Sequence, residues 1–132
     1  MAIRGKVKNV TIDPMGRATG TVTDTVTKTD YPFEQPYGQQ LGLEVNSIVQ
    51  FDTVDVSGVS YGVSLDPVDK ATIQSIDYIK GKGVIVDNVG NQIEFEQSYG
   101  RELGLVNQSK VKFVPVTVNG VMKATSLKLV TN

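Results

Sequence analysis

Phe33–Leu43 reads FEQPYGQQLGL, and Phe95–Leu105 reads FEQSYGRELGL. The two stretches differ only at Pro36/Ser98, Gln39/Arg101 and Gln40/Glu102. The offset, 95 − 33 = 62, also carries Val49 and Phe51 onto Val111 and Phe113, Gly58 onto Gly120, and Ser64 and Leu65 onto Ser126 and Leu127. Upstream the offset grows to 63, so that Gly20, Val22 and Asp24 fall on Gly83, Ile85 and Asp87. Val7 and Val10 then fall on Ile73 and Ile76. Offsets that change only between the conserved blocks place the insertions in loops, as a duplicated fold requires. A repeat of this length exceeds most solenoid units and fits two copies of a small domain, 1–68 and 69–132.

Each copy is written in strand residues. Thr, Val and Ile dominate, and they favour half-buried, pleated positions. Strands are expected near 3–12, 19–26, 30–35, 46–57 and 59–68, and again near 71–79, 83–89, 92–97, 109–118 and 121–130. Ser57-Gly58 and Asn119-Gly120 stand between alternating Val runs, and Asn-Gly is a strong short hairpin signal. The repeated stretch alone departs from this pattern. In PYGQQLGL and SYGRELGL, Tyr and Leu stand four apart with Gly42 or Gly104 following, which suits one helical turn closed by glycine. Three strands, a helical turn and a long hairpin is the order of a five-stranded OB-fold barrel. The fold class expected is all-β: two tandem OB barrels, each with a helical turn between its third and fourth strands.

The composition removes much chemistry. The 132-residue chain has no Cys and no His, which excludes disulfides, thiolate nucleophiles, imidazole bases and most transition-metal sites. Glu94 and Glu96 share a strand face, but no partner machinery accompanies them, so catalysis is not expected. Gly81 and Gly83 precede no helix and form no phosphate loop. No cofactor and no metal are expected. There is no apolar run of membrane-spanning length and no signal peptide, so the expectation is a cytoplasmic protein without a membrane partner. The net charge of −1 is divided unevenly. Residues 1–68 carry five basic and eight acidic side chains (−3), and residues 69–132 carry eight and six (+2).

Several segments resemble bacterial cold-shock domains. Gly5-Lys6-Val7-Lys8 is similar to the opening strand of that family. KGKGVIV (Lys80–Val86) resembles its first ribonucleoprotein motif and IEFEQS (Ile93–Ser98) its second. SKVKF (Ser109–Phe113), the Asn119-Gly120 turn and ATSLKLV (Ala124–Val130) resemble the last hairpin. The resemblance covers nearly the whole chain, twice. It implies single-stranded DNA or RNA binding, with bases stacked on outward aromatics of the second and third strands. At the matching positions this chain has other residues. Lys82 and Val84 take the places of the second-strand aromatics, as do Thr19 and Thr21 in the first copy. Glu94, Glu96 and Gln97, with Pro32, Glu34 and Gln35, take the outward third-strand places. Asn9 and Ser75 take the first-strand tryptophan position. The barrel positions are retained and the stacking platform is replaced.

Contacts to a nucleic acid therefore fall to other residues. Arg4, Lys6 and Lys8 alternate on one strand and point to one face, either as a cationic stripe for a phosphate backbone or as a solvated face. Tyr78, Lys80 and Lys82 surround the loop between the first two strands, where OB folds grip oligonucleotides, although packing on the barrel end with its hydroxyl wet is the commoner outcome for a residue such as Tyr78. Lys110 and Lys112 form a pair on the fourth strand, free for phosphate or paired with Glu94 or Glu96 across strands. Tyr37 and Tyr99 are expected to cap the barrels over Leu41 and Leu103. Two functional classes follow. One is non-enzymatic binding of single-stranded nucleic acid through these eight residues. The other is a protein-interaction or structural module, self-association included, whose Glu/Gln/Thr surface has replaced the nucleic-acid face. The short linker at Asp66–Ala71 predicts closely apposed barrels.

Overall fold

The computed structural model describes residues 3–66 and 69–130. The first half contains β1 (Ile3–Ile12), β2 (Ala18–Asp24), β3 (Asp30–Gln35), the short helix α1 (Gly38–Leu41), β4 (Ile48–Val56) and β5 (Val59–Val63). The second contains β6 (Asp69–Asp77), β7 (Lys82–Asp87), β8 (Gln92–Glu96), β9 (Lys110–Val118) and β10 (Val121–Leu129). Each half closes into a five-stranded barrel, ordered β1-β2-β3-β5-β4 and β6-β7-β8-β10-β9. All neighbours are antiparallel except β3 with β5 and β8 with β10. The expected all-β fold of two OB-type barrels is thus observed, and the domain boundary expected at 68–69 adjoins residues 67–68, which lie outside the described residues.

The alternation along the strands builds the two cores. Val7, Val22, Phe33, Val49, Phe51 and Leu65 fill the first barrel, and Ile73, Ile85, Phe95, Val111, Phe113 and Leu127 occupy the same positions in the second. Both first strands carry a bulge, at Val7/Asn9 and at Ile73/Ser75. A Cβ on Gly20 would lie 2.0 Å from the Asn9 carbonyl oxygen, and one on Gly83 2.2 Å from that of Ser75. The bulges therefore explain why glycine stands at this repeat position twice.

The repeated stretch forms the same closed turn in both copies. Leu41 N–H donates to the Tyr37 carbonyl and Leu103 N–H to that of Tyr99, both at 3.0 Å. Gly42 and Gly104, at φ 73° and 79°, donate back to Gln39 and Arg101, and Leu43 and Leu105 to Gly38 and Gly100. This paired 5→2 and 6→1 pattern is a Schellman closure, and the left-handed residue it needs is why each copy has glycine there. In the second copy the segment is a turn with those bonds rather than a regular helix. The fifth strand of the first barrel is shorter than expected. It ends at Val63, followed by Ser64 and Asp66 at φ 56° and 54°; the remainder of the predicted strand, 67–68, lies outside the described residues.

The barrels meet through the same segments of each copy, the end of the third strand and the end of the fifth. Gln35 Nε2 donates to Thr125 Oγ1 at 2.8 Å, and the Thr125 hydroxyl donates to the Pro36 carbonyl at 2.8 Å. The Ser64 hydroxyl donates to the Leu127 carbonyl. Tyr61 stacks on Tyr99 with ring centroids 5.0 Å apart. Arg17 Nη1 reaches Glu34 at 2.5 Å and Ser98 at 2.9 Å, while Nη2 reaches Glu96 at 3.2 Å. Equivalent segments of the two copies face each other, but the side-chain bonds across the seam are not reciprocal: Ser64 bonds Leu127, whereas the equivalent Ser126 hydroxyl finds no partner among the described residues.

Candidate nucleic-acid interface

Gln35 and Gln97 were expected on the outward face, and the structure corrects this. They follow Phe33 and Phe95 by two residues, share their inward parity and are fully buried. Their work is structural. The parallel β3–β5 and β8–β10 contacts span only one or two residue pairs. Gln35 Oε1 accepts from Leu65 N–H at 3.3 Å, and Gln97 Oε1 accepts from Leu127 N–H at 2.5 Å. Each amide thus fastens the third strand to the fifth where the ladder is only one or two residue pairs long. Glu34 and Glu96 do point outward, and both are gathered at the seam by Arg17.

The aromatics are likewise accounted for. Tyr31 packs edge-on against Phe51 in the first core. Tyr99 lies in the seam against Tyr61, and Tyr37 feels Glu96 and Glu94 of the other barrel. Burial first, and then those carboxylates, push the Tyr37 hydroxyl above its ordinary value. Tyr78 is half-buried; its hydroxyl donates to the Leu105 carbonyl, and the Arg101 guanidinium covers its ring at 5.3 Å. The wet hydroxyl expected there is therefore bonded to the chain. Among the described residues no Phe or Tyr ring stands exposed as a stacking platform.

The predicted cations separate into different settings. Arg4, Lys6 and Lys8 all point outward from β1, but Lys8 Nζ is held by Asp30 Oδ2 at 2.9 Å. Lys80 lines a cleft at the seam with Arg17, Glu34, Tyr78, Ser98 and Tyr99. Lys82 lies directly across from Glu96 on β8. Lys110 and Lys112 do not pair with Glu94 or Glu96, because β10 separates β9 from β8. Glu94 instead pairs with Lys123 at 2.7 Å, which holds its carboxyl below the ordinary value.

Register brings two further lysines to Lys112. Lys70 on β6 lies directly opposite Lys112, and Lys128 on β10 lies opposite it on the other side. Lys110 lies opposite Thr72, two residues along the same face, and donates to its hydroxyl at 3.4 Å. Lys70, Lys110, Thr72 and Asn88 line one cavity of about 230 Å³. Lys70, Lys110 and Lys112 are exposed, and among the described residues none of the three makes an ion pair. Directly opposed like charges destabilise a sheet unless something neutralises them, so this face is electrostatically incomplete. Lys70 and Lys128 were missed in the sequence because they are 42 and 16 residues from Lys112. The fourth strand of an OB barrel lies between the first and the fifth, and that order was the available signal.

The first barrel carries a different row at the same positions, Arg4–Gln50–Asp66. Among the described residues no group of three or more carboxylates could hold a metal, and no helix is long and apolar enough to cross a membrane.

No family model matches the chain, and no curated protein matches it. A solved structure of Drosophila Unr, described as CSD456, is similar at 15% sequence identity and a TM-score of 0.46. The match covers 99% of this chain and 62% of that one, so the chain spans less than two thirds of its length.

Proposed function

We propose that the chain is a non-enzymatic binding protein for single-stranded nucleic acid, and that it holds the phosphate backbone rather than stacking the bases. The observation that carries this reading is the cluster of Lys70, Lys110 and Lys112, three exposed like charges crowded on two adjacent strands with no ion-pair partner among the described residues. Lysines on long stems suit a flexible chain of phosphates, and neutralising each phosphate releases counterions, which makes the binding salt-dependent. OB barrels bind single strands by an electrostatic groove together with aromatic stacking. With the tyrosines engaged in the core, the seam and the loop closure, the electrostatic part remains. Of the residues expected from sequence, Lys110 and Lys112 then belong to the principal surface, and Lys80 and Lys82 do not.

The test is a titration of labelled oligo-dT and oligo-U across a salt series. The wild type should bind at low salt. Converting Lys70, Lys110 and Lys112 together to Gln should weaken binding at least tenfold and reduce the salt slope by about 2, from roughly 0.7 per contact on a single strand. No binding at low salt at roughly 100 μM, the weak end of the usual non-specific range, rejects this reading. A protein-interaction module would then be favoured. The observation for it is a cleft of about 380 Å³ at one end of the second barrel, where exposed Val89 and Met122 flank Ile93, Phe113 and Pro115.

A further inference from the structure

The lysine row of the second barrel does not end at β10. Lys128 Nζ lies 3.8 Å from Asp52 Oδ1 of the first barrel, and its side chain is only 12% exposed. Burial pulls its ammonium below the ordinary value, while Asp52 and Asp66 hold it charged and Lys112 opposes them. Lys128 is therefore within electrostatic reach of three groups at once: the next lysine of its own row and two carboxylates across the seam.

On the other side the path continues through the backbone. Asp66 N–H donates to the Gln50 carbonyl at 2.8 Å, and the Asp66 carboxylate accepts from Gln50 N–H at 3.1 Å. Gln50 lies directly opposite Arg4, and Lys6 lies opposite Ile48 on the same exposed face. Asp66 and Lys128 are equivalent in the repeat, as 66 + 62 = 128 shows. The rows Lys70–Lys112–Lys128 and Asp66–Gln50–Arg4 thus approach each other at the seam by equivalent ends.

We propose that this face is one track, and that a single-stranded nucleic acid runs across the seam from Lys70 and Lys112 to Arg4 and Lys6. Asp66 is the interruption. It stands where the second barrel has a lysine, and its exposed charge repels a phosphate between the two cationic ends. The proposal rests on the reading above and adds the direction of the strand and the use of both barrels.

Two lengths of oligo-dT separate the ideas, about 6 nucleotides, within the reach of one barrel, and about 20, enough for two. Arg4→Gln with Lys6→Gln should weaken the longer strand severalfold and lower its salt slope by about 1.4, two contacts at roughly 0.7 each, while leaving the shorter strand unchanged. Asp66→Asn keeps the acceptor for Gln50 and tolerates the positive φ, so it should fold normally and bind the longer strand threefold to tenfold more tightly. If the longer strand binds but ignores both changes, the track is wrong and the lysine cluster acts alone. If the shorter strand responds as strongly as the longer, the strand starts on the first barrel, and the proposed direction is overturned. If neither length binds, the underlying reading fails with it.

Discussion

The two barrels place nearly the same residues inside and different ones outside. At one row of three equivalent positions the first barrel has Arg4, Gln50 and Asp66, formally neutral, and the second has Lys70, Lys112 and Lys128, at +3. At another, Arg17 ties Glu34, Glu96 and Ser98 together, while its equivalent Lys80 makes no ion pair among the described residues. A third difference is buried. Ser64 and Ser126 both sit at positive φ, but the Ser64 hydroxyl bonds the Leu127 carbonyl and the Ser126 hydroxyl has no partner among the described residues. Duplicated cores with different surfaces leave the seam shared by both copies and the lysine row to the second alone.

The largest test asks whether the copies are separable at all. Phe51→Ala removes a fully buried ring from the first core and should cost about 3–5 kcal/mol. If the seam couples the barrels, amide exchange at Val22 and at Ile85 will accelerate together. Acceleration at Val22 alone would break the comparison into two independent domains. Next is the seam itself. Arg17→Ala leaves Glu34 and Glu96 without their shared cation and should destabilise by about 2 kcal/mol, whereas Lys80→Ala should stay within about 0.5 kcal/mol. Equal losses in denaturant titrations would mean that the asymmetry at this position is not real. The smallest effect is at the paired serines. Ser126→Gly removes an unsatisfied hydroxyl and a left-handed non-glycine residue together, and should stabilise by about 1 kcal/mol. Ser64→Gly should give no gain, because the lost hydroxyl bond offsets the relief of strain. Thermal melting of the two variants reads this directly.

Much of this architecture was legible in the sequence because it is local or repeated. The Val and Ile alternation marked the strands to within a few residues. Gly42 and Gly104 marked the turn closures, and the offset of 62 exposed the duplication. Features that depend on strand order or on the seam were not legible. Gln35 and Gln97 read as outward substitutes for aromatics, although parity with Phe33 and Phe95 places them inside. Pairing of Lys110 or Lys112 with Glu94 or Glu96 stayed open in the sequence because the intervening β10 is remote from both strands. Tyr37 and Tyr99 read as caps on their own barrels, since nothing local reveals that equivalent faces of the copies meet. Only part of the candidate surface was visible for the same reason. Lys112 was identified, but Lys70 and Lys128 become its neighbours only through the closed barrel.

The central claim is that the opposed lysines of the second barrel hold the phosphate backbone of a single strand. Backbone amide shifts measured by NMR during titration with oligo-dT at low salt test it residue by residue. The account predicts the largest changes at Lys70–Thr72 and Lys110–Lys112, with smaller ones toward Lys128. Changes centred on Val84, Glu94 and Glu96, the outward face of the second and third strands, would contradict it.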